Sequence, residues 1–252
     1  MLFVISFALL LQPPACQQAA TQFQKGNLAA ARTLLDAAKP EGAFCTKLSG
    51  LVFAAMGDYR NATQPFSEAC KLAPQEPDAC YYWARALYSL DRFEDSLLAL
   101  NQAKPGATKP WKIATARGQA LDALGRPQAE AELTKALFQR SKEDTPVTEP
   151  DPLLALAAFL YRQGRATEAQ KLLEQAPKRY QTLATYHYQL GRALSQQQRW
   201  QESAEALRRA VSLDPSSAES HGLLSRAYYR LGQSDLAAHH ARRATQGSVI
   251  SR

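Results

Sequence analysis

Along residues 188–215, YQLGRALSQQQRWQESAEALRRAVSLDP, small and apolar residues recur three or four apart and polar ones fill the gaps. That spacing marks one face of an α-helix. Leu190, Leu194, Leu207 and Leu213 are expected to fill the seam between two such helices, with the turn between them at Gln198. The same pattern runs through the whole chain, in which Ala, Leu, Gln, Arg and Glu dominate, Val and Ile are scarce, and no stretch alternates with strand period. An all-α protein follows.

The helical pattern is itself repeated. Units beginning at Pro150, Ala184 and Ala218 share a 34-residue register, as do earlier units beginning at Ala43, Pro77 and Trp111, and a shortened unit begins near Gln12. Within this register small residues fall into columns. One column reads Ala19, Gly50, Ala84, Gly118, Ala157, Gly191 and Ser225; a second reads Ala31, Ala62, Ser96, Ala129, Ala169, Ser203 and Ala237. A third is alanine in every unit: Ala38, Ala69, Ala103, Ala136, Ala176, Ala210 and Ala244. Between the first two columns stands a turn residue, glycine at 26, 57, 125, 164 and 232 but Asp91 and Gln198 in the remaining units. Each unit therefore predicts two antiparallel helices whose backbones approach closely at the small residues. Pro74 and Pro215 are placed to stop the second helix of their units.

The stretches YHYQLGRALSQQQRWQESAEALRRAVSLDP and SHGLLSRAYYRLGQSDLAAHHARRA resemble the tetratricopeptide repeat (TPR) in their order of small, aromatic, glycine and alanine positions. The resemblance covers nearly the whole chain, as about seven tandem repeats. It departs from the family pattern where tryptophan is replaced by Cys80, His187 and His221, at the interruption SKEDTPVTEP (141–150), and in having no solvating helix after Ala244. It implies a right-handed superhelical α-solenoid whose first helices line a concave wall. The wall positions are then the second, fifth, ninth, twelfth and thirteenth of each unit. They hold Tyr81, Arg85, Tyr88, Gln119, Tyr161, Arg162, Tyr188, Arg192, Arg226, Tyr229 and Arg230. Tyrosine and arginine are the residues that concentrate binding energy at interfaces. The resemblance thus points to a groove for a protein or peptide segment of acidic and apolar character. The carboxylate clamp of co-chaperone family members is not supported, because the ninth positions carry no asparagine.

Other features bear on setting and partner. Leu2–Leu11 followed by Gln12-Pro13-Pro14-Ala15-Cys16 reads as a signal-peptide-like leader over residues 1–15, too short to span a bilayer. The remaining chain divides into units 1–4 (16–140), an inter-repeat loop (141–149), units 5–7 (150–245) and a short tail (246–252). An exported protein, periplasmic, envelope-associated or secreted, is expected; a cytoplasmic one follows if the apolar run is not a signal. Cys16 after Ala15 also admits a lipid anchor. The four cysteines lack metal spacing and read either as buried small residues or, after export, as a disulfide joining Cys70 to Cys45 or to Cys80. Asn61-Ala62-Thr63 fits a glycosylation acceptor of a eukaryotic secretory pathway.

The formal charge of +7 and pI near 9.3 suit an anionic partner. The excess sits at the C-terminal side, where residues 150–252 hold 14 Lys and Arg against 8 Asp and Glu. The basic residues nevertheless form no stripe at one repeat position, which argues against nucleic acid as the partner. His187 and His221 occupy matching seam positions, and His239 and His240 are adjacent, so neither pair reads as a metal site. No catalytic constellation and no cofactor motif stands out. The expected function is a protein-interaction scaffold; the alternatives are a nucleic-acid-binding helical repeat protein and an accessory or assembly subunit of a larger envelope complex.

Overall fold

The computed structural model describes residues 13–38, 42–76, 78–143, 147 and 151–250, the side chains of 247–250 excepted. The apolar run 2–11 lies outside them. Fourteen α-helices are present among the described residues, and no β-strand. They form seven consecutive pairs: α1 (Pro14–Gln24) with α2 (Leu28–Ala38), α3 (Ala43–Ala55) with α4 (Tyr59–Leu72), and α5 (Ala79–Tyr88) with α6 (Phe93–Gln102). Then come α7 (Pro110–Ala123) with α8 (Ala129–Ser141), α9 (Pro152–Arg162) with α10 (Ala166–Glu174), α11 (Ala184–Gln196) with α12 (Trp200–Leu213), and α13 (Ala218–Arg230) with α14 (Ser234–Ile250). A short 3₁₀ turn, Lys178–Thr182, precedes α11. Helix α14 continues to Ile250, so residues read as the start of a tail are helical.

Each helix begins and ends for local reasons. Pro14, Pro110 and Pro152 stand in the first turn, where a missing N–H costs nothing. Asp58, Asp151 and Ser217 cap the helices that follow them by accepting the N–H of Asn61, Leu153 and Ser220. The turn column has one conformation throughout. Its five glycines have φ between 65 and 78°, and Asp91 and Gln198 share the left-handed region at 56 and 60°. For a residue with a Cβ that region costs about 1–2 kcal/mol, partly offset by glycine's greater freedom in the unfolded chain. Gln198→Gly should therefore raise stability by about 0.5–1 kcal/mol in urea unfolding; an unchanged or lowered midpoint would contradict the assignment.

The small columns mark the crossings within each pair. Ser96 Oγ donates to the carbonyl of Ala84, Ser203 Oγ to that of Gly191, and Ser225 Oγ to that of Ala237, at 2.9, 2.8 and 2.7 Å. In every case the partners are one from each column, so a hydroxyl fits where backbones approach and stitches them together. A Cβ on Gly191 would stand 2.6 Å from Cγ of Leu207, and one on Gly50 2.6 Å from Cδ1 of Phe66. Phe66 and Leu207 belong to a row of large buried residues, Leu35, Phe66, Leu100, Leu133, Leu173 and Leu207, that recur four residues after the second column. The seventh unit breaks this rule with Ala241, which is exposed. Leu194 and Leu207 fill the seam as expected, whereas Leu213 is 47% exposed because α12 ends there.

The chain divides into two compact units, residues 1–132 and 133–252, with the division inside α8. In the first, α1–α3 close over Cys16, Ala19, Ala31, Leu35, Cys45, Leu48 and Val52, and α4 meets α5 through Ala69, Cys70, Ala79 and Cys80. Two disulfides sit in these clusters: Cys16–Cys45 joins α1 to α3, and Cys70–Cys80 joins α4 to α5. Of the two pairings considered for Cys70, the one with Cys80 forms, because Cys45 is taken by Cys16 across the first two repeats. Cys16 Sγ is thereby committed to Cys45, which leaves it no thiol to carry a lipid.

In the second unit, Leu153, Leu154, Ala157, Leu173, Tyr180 and Tyr186 form one cluster and Ala204, Leu207, Leu224, Ala227, Tyr228 and Ala237 another. The ends of the 141–150 insertion are drawn together here. Arg140 and Asp151, each 1% exposed, lie 3.8 Å apart (Nε to Oδ2). Tyr180 Oη donates to the Asp151 carboxylate, 3.1 Å from each oxygen, and the Leu153 N–H donates at 2.9 Å. Burial raises the Asp151 pKa above its ordinary value, against these donors and Arg140.

Candidate partner-binding surface

Within each unit, successive first helices pack on one another: α1 on α3, α3 on α5, α5 on α7, and α9 on α11, α11 on α13. They share one face. Along it, residues one repeat apart pair with each other. In the first unit Arg85 Nη1 donates to Gln119 Oε1 at 2.9 Å, both ninth positions. Lys112 Nζ meets Asp78 Oδ2 at 2.7 Å, both second positions. Lys47 and Glu76 add a third contact. These pairs are partly exposed, so each is worth at most about 1 kcal/mol. Their effect is to hold the polar side chains in register. Tyr88 lies 5.9 Å from the Arg85 guanidinium and completes the cluster in this unit.

Tyr81 departs from expectation. It is 3% exposed, packed with Ala84, Leu87 and Ala116, and its hydroxyl pKa is pushed up to about 12, chiefly by burial. Lys112 stands over its ring at 5.5 Å. At the fifth position, Thr115 and Leu154 are buried too, whereas Tyr188 at the same position is only half-buried. Tyr81 is therefore a packing residue between repeats, closed to a partner.

In the second unit Tyr161, Tyr188 and Arg192 come together. The Arg192 guanidinium carbon lies 4.0 Å from the Tyr161 ring centroid and 5.3 Å from that of Tyr188, two rings contributed by adjacent repeats. Its Nη1 donates to Gln189 Oε1 at 3.1 Å. With one N–H given to Gln189, the guanidinium keeps other N–H groups for an acceptor such as a carboxylate. Burial raises the Tyr188 pKa, opposed by Arg192. Arg226 and Tyr229 are exposed on α13, Tyr229 by 72%. Arg162 is exposed at the end of α9. Arg230 turns elsewhere: its guanidinium lies 5.5 Å over Trp200 of α12, a second-helix residue, and so it leaves the first-helix face. The pairing of Asp78 with Lys112 and the support of Arg192 by Gln189 were missed by sequence reasoning. The first was readable as opposite charges one period apart; the second carries no periodic signal.

Two clefts lie instead between a second helix and the following repeat. One of about 540 Å³ is lined by Arg60, Gln64, Trp83, Leu87 and Arg92, and one of about 420 Å³ by Gln201, Glu205, Arg208, Tyr228 and Leu236. Among the described residues no group of three His, Cys, Asp or Glu is placed to hold a metal ion, and no helix is long and apolar enough to cross a membrane.

The tetratricopeptide repeat signature matches residues 48–110 and 188–248, and that of anaphase-promoting complex, cyclosome, subunit 3 matches 133–210. No curated protein sequence matches the chain significantly. Among solved structures, the human IFIT1 dimer with PPP-AAAA is similar at 21% identity and a TM-score of 0.66, over 91% of this chain and 59% of that one. The APC/C hetero-tetramer Cut9–Hcn1 is similar at 16% identity and a TM-score of 0.70, over 93% of this chain and 46% of that one. The chain thus spans less than two thirds of the length of either. Seven helix pairs with one turn conformation, a 34-residue register of small crossings and these matches converge: the chain is a helical array with the tetratricopeptide repeat fold.

Proposed function

We propose that the protein is a non-enzymatic interaction scaffold that holds a peptide segment, or a segment of a partner protein, of acidic and apolar character on the face of its first helices. The observation that carries this reading is Arg192 set between Tyr161 and Tyr188. A charged group held by two aromatic rings at a repeat junction is pre-organised, so little side-chain freedom remains to be lost when a carboxylate arrives. Arg85, Tyr88 and Gln119 provide a comparable polar and aromatic cluster in the first unit, and Arg226 and Tyr229 extend the second.

The scaffold is proposed to work in an oxidising compartment outside the cytosol. Its four cysteines pair as two disulfides, with none left free. The apolar leader fits that setting. IFIT1 is solved with PPP-AAAA bound, but a likeness at this level of identity is one of fold, and nothing on the first-helix face here favours a phosphate backbone over a carboxylate.

Affinity capture from the native extract tests the proposal. Residues 16–252 are compared with the same chain carrying Arg192→Glu and Arg226→Glu. Recovery of one protein partner by the first and its loss from the second is expected, with both baits equally folded by circular dichroism. Equal recovery by both would remove binding from this face, and recovery of nucleic acid in place of protein would replace the reading.

A further inference from the structure

The last repeat contains a device that the scaffold does not use. His221 of α13 is buried and His240 of α14 half-buried; their rings, 25° from parallel with centroids 5.1 Å apart, meet edge to edge with the two Nδ1 atoms 2.8 Å apart. The Tyr228 ring of α13 lies nearly parallel to that of His240, at 5.7 Å and 19°. Two imidazole nitrogens at hydrogen-bond distance share one proton, one donating and the other accepting. The remaining nitrogen of His221, Nε2, lies 3.2 Å from the carbonyl of Pro215, an acceptor only, so Nε2 carries a proton. The same bond recurs one repeat earlier, where His187 Nε2 lies 2.9 Å from the carbonyl of Gln181. With both rings neutral, Nδ1 of His221 is then the acceptor and Nδ1–H of His240 the donor. The pair cannot hold both rings charged, because two Nδ1–H groups would then face each other.

We propose that this pair is an acid-sensitive latch holding α14 on α13, and that mild acidification releases α14 and uncovers the α13 face. Ser225 Oγ, donating to the Ala237 carbonyl at 2.7 Å, also ties the two helices together. The charged groups acting on the pair are Asp214 from the end of α12, and His239 and Arg243 from α14; from α13 it meets the Tyr228 phenol. Only Asp214 favours a cation. Arg243 Nη2 also donates to the Pro215 carbonyl at 3.3 Å, placing a permanent positive charge beside the pair. Consistent with this surrounding, burial first, then His221, His239 and Arg243, lower the His240 pKa from 6.5 to about 4. A histidine whose folded pKa lies below its unfolded one contributes stability that is complete above about 6.5 and is lost as pH falls toward about 4. What α14 covers is apolar: Leu224, Ala227 and Tyr228 pack with Ala237. The exposed Ala241 stands where all six earlier second helices bury a large side chain. Helix α14 thus lacks that buried side chain, and the histidine pair adds a polar contact to the same two helices.

The test uses the full chain and three reads. Nitrogen-15 imidazole spectra at pH 7.5 should show Nε2–H on His221 and Nδ1–H on His240. Between pH 7.5 and 5 the thermal midpoint should fall by several degrees more in the wild type than in His240→Asn, whose amide keeps a donor at the Nδ1 position and does not titrate. At pH 5, amide protection along α14 should be about tenfold lower in the wild type than in His240→Asn, while His239→Asn, altered at the exposed neighbour, should follow the wild type. A pH loss in His240→Asn equal to that of the wild type would overturn the latch. So would an Nε2–H tautomer at His240 at pH 7.5, a reading made on the wild type and independent of whether any variant folds.

Discussion

Replacing Asp151 with alanine lowers the stability of the second unit by about 3–5 kcal/mol, the cost of taking from buried Arg140 the more deeply buried of its two carboxylates, Glu143 being the one that remains. The substitution also removes the acceptor of Tyr180 Oη and the cap of α9, so three donors lose a partner at once. Urea unfolding of the full chain measures the loss. A double variant, Arg140→Met with Asp151→Leu, should recover much of it, since replacing both charges by apolar groups removes the need for pairing. A loss below about 1 kcal/mol for Asp151→Ala would mean that water reaches Arg140 and that the two ends of the insertion are not clamped.

The second large effect lies at a helix crossing. Ala210 is fully buried on α12, in the column that is alanine in every repeat. Ala210→Arg forces a long cation into a space that holds a methyl group and should cost several kcal/mol, from overpacking and from a charge without a partner. Ala244→Arg, one repeat later at a half-buried site, should cost much less. Equal thermal midpoints for Ala210→Arg and the wild type would show that the repeat register is wrong.

The helix pairs, their boundaries and their turns could be read from the sequence because each is written seven times. A column such as Ala31 to Ala237 stands out against noise that a single helix could not overcome, and even Asp91 and Gln198, departures from glycine, were readable as turns by position alone. What could not be read has no period. Arg140, Asp151 and Tyr180 surround an insertion that interrupts the register, and a buried ion pair in polar sequence looks like solvated surface. His221 was readable as a seam residue, but its partner His240 belongs to a helix face with no counterpart in the other repeats. The candidate surface was legible in part: the register brought Tyr161, Tyr188 and Arg192 to one face, yet could not distinguish positions open to solvent from those covered by the next repeat. Tyr81 falls in the second class because first helices touch; Arg230 leaves the face because Trp200 draws its guanidinium away.

Both disulfides join cysteines that are consecutive along the chain, Cys16 with Cys45 and Cys70 with Cys80. If the chain is exported as proposed, crossing a membrane amino end first presents its thiols in that order, and the first and third each meet their mate before a later competitor has emerged. Oxidation during such a passage would yield the native connectivity without reshuffling and would seal the first repeats before the later ones arrive.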